Sequence, residues 1–171
     1  PADGTVVYVK KIRPLEDVLV IKKGLRATID DIVREHIVVD KVLIGVFMSP
    51  FNVHYNRAPI AGKIEFIRHH PAQVKNSNMW SMHIRTILKR APYYRNSCHI
   101  VQNERSVTKI NGTYKGRELA SYVIQIAGKS VRGIESYVKE GVYVERGAIF
   151  GMIRIGSQVD LVVPWEDVLP E

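Results

Sequence analysis

The sequence is short of cysteine, of aromatic clusters and of long apolar runs, and each shortage excludes a class of protein. Its one cysteine, Cys98, cannot close an internal disulfide, and no sulfur-based zinc or redox motif can be drawn through it. A reducing compartment is expected. The longest apolar stretch, Val42-Leu-Ile-Gly-Val-Phe-Met48, falls well short of the roughly 20 residues that carry a helix across a bilayer. Aromatic residues are scattered, with none of the stacking signature, helix-turn-helix pattern or metal-knuckle spacing of nucleic-acid readers. His36, His69, His70, His83 and His99 lack metal-ligand spacing and read as structural or surface residues.

What is present is a basic chain with an ordinary apolar share. Lys and Arg outnumber Asp and Glu by 25 to 17, a net charge of +8, so the surface prefers anionic partners. Charge alone does not choose between nucleic acid and an acidic membrane leaflet, no motif supports the first, and a solvated basic surface is the commoner reading of such a balance. Apolar residues make up 46% of 171, which suits one domain over residues 1–171. The chain opens at Pro1 with no initiator Met, which is compatible with an anchor or signal upstream. Self-association is left open.

Short β-branched runs broken by Gly, Pro, Asn and charges predict strands at residues 5–9, 18–21, 42–48, 64–67, 122–126, 148–153 and 159–163. Helical spacing is confined to residues 29–35 and 82–89. The expected fold is mainly β with a few short helices. Pro1-Ala-Asp-Gly-Thr-Val6 and Pro59-Ile-Ala-Gly-Lys-Ile64 share a Pro-x-x-Gly-x-aliphatic frame that turns the chain into a strand, which suggests related, duplicated β units. Glu140-Gly-Val-Tyr-Val-Glu-Arg-Gly-Ala-Ile149 resembles the turn-and-strand tract of barrel-sandwich carrier domains. Those domains present a modifiable lysine in a Met-Lys or Asp-Lys-Ala tract, and none occurs here. Residues 68–105 are more polar and irregular, as segments that line sites often are.

Gly156-Ser157 lies between two strong strand patterns. Alone, the pair marks an ordinary turn. Its surroundings, Gly151-Met-Ile-Arg-Ile-Gly-Ser-Gln-Val-Asp160, resemble the self-processing site of short, archaeal-type phosphatidylserine decarboxylases, with Ile155 where the family usually has Phe and Gln158 where Arg is common. Met48-Ser-Pro-Phe-Asn-Val-His-Tyr-Asn-Arg-Ala-Pro-Ile-Ala-Gly62 is similar to the family's Ser-Pro-x-Asp-x-His-x-Asn-Arg-x-Pro-x-x-Gly segment, Pro1-Ala-Asp-Gly4 to its opening tetrapeptide, and Gln102-Asn-Glu-Arg105 is a weaker match. The motifs follow the family's order along essentially the whole chain. The middle, from His69 to His99, departs most from it.

The resemblance implies that Ser157 is the precursor of a covalent pyruvoyl group, formed by autocatalytic cleavage at Gly156-Ser157 into a large chain, 1–156, and a small chain, 157–171, that stay together. A serine hydroxyl can attack the preceding carbonyl, and glycine before it removes side-chain bulk. The ketone that results can condense with a primary amine and withdraw electrons as carbon dioxide leaves. His54 falls on the family histidine placed at the substrate, where an imidazole can protonate a carbanion. Asp3 would be the carboxylate of the cleavage apparatus. Better-known bacterial members carry a second histidine where this chain has Arg57, so the base for cleavage stays open. Arg57 is instead a candidate for stabilising the oxyanion or for binding the lipid phosphate.

The implied activity converts a serine phospholipid, phosphatidylserine or archaetidylserine, to its ethanolamine form, by an enzyme lying peripherally on the cytoplasmic side of the cell membrane. Two alternatives stand beside it. One is a pyruvoyl decarboxylase of a soluble amine-bearing substrate. The other is a barrel-sandwich binding module that never cleaves and whose Ser157 is silent.

Overall fold

The computed structural model describes residues 1–14, 16–22, 25–34, 36–37, 39–72, 75–129, 133–154 and 156–165. The chain is mainly β. Its elements run β1 (Thr5–Ile12), β2 (Asp17–Lys22), β3 (Leu25–Thr28), α1 (Ile29–Val33), β4 (Lys41–Met48), β5 (Tyr55–Arg57), β6 (Gly62–His70), α2 (Trp80–Ile87), α3 (His99–Gln102), β7 (Arg105–Tyr114), β8 (Arg117–Ile126), β9 (Ile134–Ser136), β10 (Tyr143–Val144), β11 (Ile149–Ile153) and β12 (Ser157–Pro164).

Seven strands form an antiparallel sheet in the order β1-β4-β12-β8-β7-β6-β10, and β5-β11-β9 form a second sheet. Side chains alternate across the large sheet. One face, with Tyr8, Leu43, Phe47, Ile124, Ile126 and Val162, packs with Ile32, Met82 and Ile100 from the three helices and with Leu19 of the β2-β3 pair. The other, with Met48, Val123 and Val159, packs on Phe150 and Ile153 of the smaller sheet. Strand β12 is therefore covered on both sides, and its residues 159–163 are apolar on either face except for Asp160.

Each strand predicted from the sequence is present, as are both predicted helical stretches, although α1 ends at Val33 and Glu35 lies outside the described residues. The two Pro-x-x-Gly frames feed β1 and β6 as expected. The polar middle of the chain is the connection from β6 to β7, and it carries α2 and α3.

α1 is short and needs help at both ends. Thr28 and Asp31 exchange hydrogen bonds as a capping box. At its other end Nη1 of Arg105 donates to the carbonyls of Asp31 and Ile32, at 3.3 Å each. A guanidinium suits the negative end of a helix. It also ties the start of β7 to α1, and burial lowers its pKa to about 10.

Candidate active site

Ser157, Asp3 and the loop that carries His54 lie at one end of the large sheet, and Arg57 lies in β5 of the smaller sheet. Antiparallel pairing brings the start of β12 beside the end of β4, with Ser157 opposite Met48, and beside the end of β8, with Gln158 opposite Ile126. β1 begins at the same end, with Thr5 opposite Phe47, so Asp3 lies just ahead of it.

Gly156 is the last residue before β12. Its φ is +79°, in the left-handed region that glycine enters at little cost. Its carbonyl oxygen lies against Gly128, where a β-carbon would come within 2.0 Å of it. A Gly128→Ala variant must move either backbone. It is expected to fold, because Gly128 itself has an ordinary φ, but to cleave at Gly156-Ser157 at least about tenfold more slowly if that carbonyl is the one attacked, each 1.4 kcal/mol of barrier being a factor of ten. A time course of denaturing gels reads this directly, and wild-type kinetics would separate the carbonyl's position from cleavage.

The Ser157 side chain is fully buried on the smaller-sheet face. Its hydroxyl donates to Met48 Sδ at 3.6 Å, a weak acceptor that leaves the oxygen lone pairs free. Asn56 Nδ2 also donates to that sulfur, at 3.8 Å, and accepts on Oδ1 from Gln125 Nε2 at 2.7 Å. Neither Asp3 nor His54 is hydrogen-bonded to Ser157 among the described residues.

Asp3 instead binds the loop after β4, which carries His54. Asp3 Oδ2 accepts from Val53 N at 2.9 Å and from Asn52 Nδ2 at 3.1 Å. The Val53 bond first, then Asn52, hold its pKa below the usual carboxylate value. His54 Nδ1 donates to the Asn52 carbonyl at 2.7 Å. That bond leaves Nε2 as the nitrogen that can exchange a proton, and Nε2 is buried with no partner among the described residues. Arg57 is exposed, and its Nη1 donates to Gly147 O at 2.8 Å. Ile155, the departure from the family before Gly156, lies outside the described residues.

Behind Ser157, on the helical face, is a polar network that the sequence reading did not anticipate. Tyr8 lies across Gly45, where a β-carbon would meet its ring at 2.4 Å, and its hydroxyl reaches both oxygens of Asp160 at 2.8 and 2.9 Å. Gln158 Nε2 donates to Tyr8 Oη at 2.6 Å and to Asp160 Oδ1 at 2.7 Å. Its Oε1 accepts from His99 Nε2 at 2.9 Å. His99 Nδ1 then has no partner among the described residues, so charging the ring would bury an unpaired N–H.

Burial raises the Asp160 pKa from 3.8 to about 6 and lowers that of His99 from 6.5 to about 4. The two act in opposite directions on stability. Between about pH 4 and 6 folded Asp160 keeps a proton that the unfolded chain gives up, so its contribution is lost as pH rises. Between about pH 6.5 and 4 the unfolded chain protonates the histidine and the folded one does not, so that contribution is lost as pH falls. Each amounts to about 3 kcal/mol, and they offset one another. Asp160→Asn should therefore lose stability, relative to wild type, on acidification from pH 6.5 to 4, and His99→Gln should gain it from pH 6 to 4. Urea unfolding across that range checks both, and parallel curves for all three proteins would contradict the assignment.

A cavity of about 1030 Å³ opens beside the Gly156 end of the sheet. Its lining includes Gly128 and Gly156, the apolar Phe47, Met79 and Trp80 with His83, the cations Lys75, Lys129 and Arg154, and one acid, Glu104. Arg154 is engaged by Glu135 at 3.0 Å. The lining reaches Gly156 but not His54 or Asp3. Among the described residues there is no group of three His, Cys, Asp or Glu that could hold a metal, and no helix long and apolar enough to cross a membrane.

Comparison with known proteins matches residues 1–170 to the family described as phosphatidylserine decarboxylase. The chain belongs to that family. It is 33% identical over 166 residues to the phosphatidylserine decarboxylase proenzyme of Magnetococcus marinus, covering 97% of this chain and 58% of that one. With the phosphatidylserine decarboxylase proenzyme of Pelobacter propionicus it shares 33% over 173 residues, 99% of this chain and 59% of that one. An archaeal chain from Methanothermobacter thermautotrophicus, provisionally named an archaetidylserine decarboxylase proenzyme, is 42% identical over 125 residues, 72% of this chain and 45% of that one. This chain thus spans about half to three fifths of the length of these relatives. No solved structure matches.

Met48, whose sulfur meets Ser157, was visible in the sequence as the first residue of the Ser-Pro tract. Gly128 was signalled only by a glycine just after a strong strand. Asp160 was signalled by a charge in the middle of a β-branched run, where an acid must find partners.

Proposed function

We propose that the chain is a self-processing precursor that cleaves at Gly156-Ser157 and then decarboxylates a serine phospholipid, phosphatidylserine or archaetidylserine, to the ethanolamine form. The observation that carries this reading is the Gly156-Ser157 bond itself, where a left-handed glycine with its carbonyl pressed on Gly128 precedes the first residue of a doubly covered strand and borders a cavity. The names of the relatives, which are proenzymes, support it.

Ser157 Oγ attacks the Gly156 carbonyl carbon, and the peptide nitrogen leaves, so that an amide becomes an ester. Loss of the proton on the α-carbon of residue 157 then expels the Gly156 carboxylate, which ends the large chain. The unsaturated residue left behind tautomerises and takes up water, and ammonia departs. The residues fit a pyruvoyl group at that position, since β12 stays fixed by two neighbouring strands and the freed end lies where Gly156 now meets the cavity. When formed, that group supplies an electrophilic carbonyl that takes up the substrate's amine and draws electrons as carbon dioxide leaves.

The chain's own side chains do the rest. His54, fixed through Nδ1 on Asn52, holds and delivers the proton at Nε2. Asp3, kept ionised by Val53 and Asn52, orders this loop and serves the cleavage step. Arg57 uses one donor on Gly147 and offers the remainder to a phosphate oxygen. Lys75 and Lys129, which have no hydrogen-bond or ion-pair partner among the described residues, give the cavity its preference for an anionic headgroup. The working site is the surface of an anionic membrane, with the peripheral protein on its cytoplasmic side.

The test is conversion of serine phospholipid in mixed detergent micelles, read by mass spectrometry as ethanolamine lipid formed. Efficient decarboxylation of free serine with none of the lipid would overturn the substrate assignment.

A further inference from the structure

α2 carries two apolar rows, and packing explains only one. Met79, just ahead of the helix, and Met82 are buried against the sheet. Trp80, Ile84, Ile87 and, one residue past the helix, Leu88 lie four, three and one positions apart and so share the other side. They are 63%, 50%, 65% and 53% exposed. Helices on soluble surfaces rarely leave such a row uncovered without a partner.

The charge around this row identifies the partner. From Arg68 to Asn103 the sequence has six Lys or Arg and no Asp or Glu. Lys89, Arg90 and Arg95 are exposed at or beyond the end of α2. Trp80 also lines the cavity that reaches Gly156, as does Pro50, and Phe51 beside Pro50 is 95% exposed. An apolar row whose own segment carries bases and no acid, beside a cavity lined by Lys75, Lys129, Arg154 and a single acid, Glu104, is complementary to a bilayer with anionic headgroups, where shallow insertion and electrostatic attraction act together. Charge alone would be screened within about 8 Å at physiological salt.

We propose that α2 is the surface by which the protein docks on an anionic bilayer, with Trp80, Ile84, Ile87 and Leu88 at the headgroup boundary and Lys89, Arg90 and Arg95 on lipid phosphates, so that the cavity opens onto the membrane. This deepens the lipid reading above and rests on it.

Trp165→Phe leaves Trp80 as the single tryptophan reporter. Its emission is expected to shift to the blue, and to be quenched by brominated acyl chains, on adding phosphatidylglycerol vesicles, and much less with phosphatidylcholine. I84E/I87E should lower vesicle partitioning by about tenfold or more while keeping wild-type melting and activity in detergent micelles. K89Q/R90Q/R95Q should lose most of the preference for phosphatidylglycerol, and supplies the test independently should I84E/I87E fail to fold. An unmoved Trp80 signal, or variants that bind vesicles like wild type, would overturn the docking surface. A shift that needs no vesicles and follows protein concentration would assign the row to a second copy, and overturn it too. A protein that docks as expected yet converts no lipid even in micelles would count against the substrate assignment alone.

Discussion

Ser157→Ala is expected to leave the chain whole and without measurable decarboxylation. The hydroxyl is the nucleophile of the proposed cleavage and the source of the carbonyl on which turnover depends, so its removal deletes both steps. The loss should not come from unfolding. Ser157 contacts Met48 Sδ through a weak bond, and removing a buried hydroxyl so bonded costs about 1 kcal/mol. Thermal melting close to wild type, with a single band on a denaturing gel, is the expected pair of results. Cleavage of the alanine variant at the same bond would rule out attack by this hydroxyl.

His54→Ala should separate maturation from turnover. His54 is tied to Asn52 O and is not hydrogen-bonded to Ser157, and Asp3 keeps its bonds to Val53 N and Asn52 without the ring. The variant is therefore expected to cut itself and yet to lose about 10²–10⁴-fold in decarboxylation, the range for a general acid–base group. An uncut variant would move His54 into the maturation apparatus. Unchanged turnover would remove it from the site.

The strands that pack on both faces were legible because most of their side chains are apolar whichever way they point, as in residues 42–48 of β4 and 161–163 of β12. β7 was missed for the opposite reason. Its second half, Asn111-Gly-Thr-Tyr114, alternates exposed and half-buried polar residues, and its place in the sheet comes from pairing with β6 and β8 rather than from its own composition. β9 and β10 are too short for any period to show.

The site divides in the same way. Asp3, His54, Arg57 and Ser157 were singled out because local tracts carry them, and the antiparallel register brings the approach to β1, the end of β4 and the start of β12 to one end of the large sheet. What the letters could not give was contact across strands. Tyr8 meets Asp160 over Gly45, and Gly128 meets the Gly156 carbonyl, only because β1-β4-β12-β8 are neighbours in that order. The exposed row of α2 was likewise hidden in the sequence, since a 3.6-residue period does not say which of two apolar sides is covered.

The central claim, that the Gly156-Ser157 bond is cut by the chain itself to leave a carbonyl at residue 157, is tested most directly by intact-mass measurement of freshly purified protein under denaturing conditions. The expected result is two species, one covering residues 1–156 and one covering residues 157–171, the second lacking a free amino group and lighter than the serine-headed peptide by the conversion of serine to pyruvoyl. A single species at the mass of the uncut 171-residue chain, from protein that is nevertheless active on serine phospholipid, would contradict it.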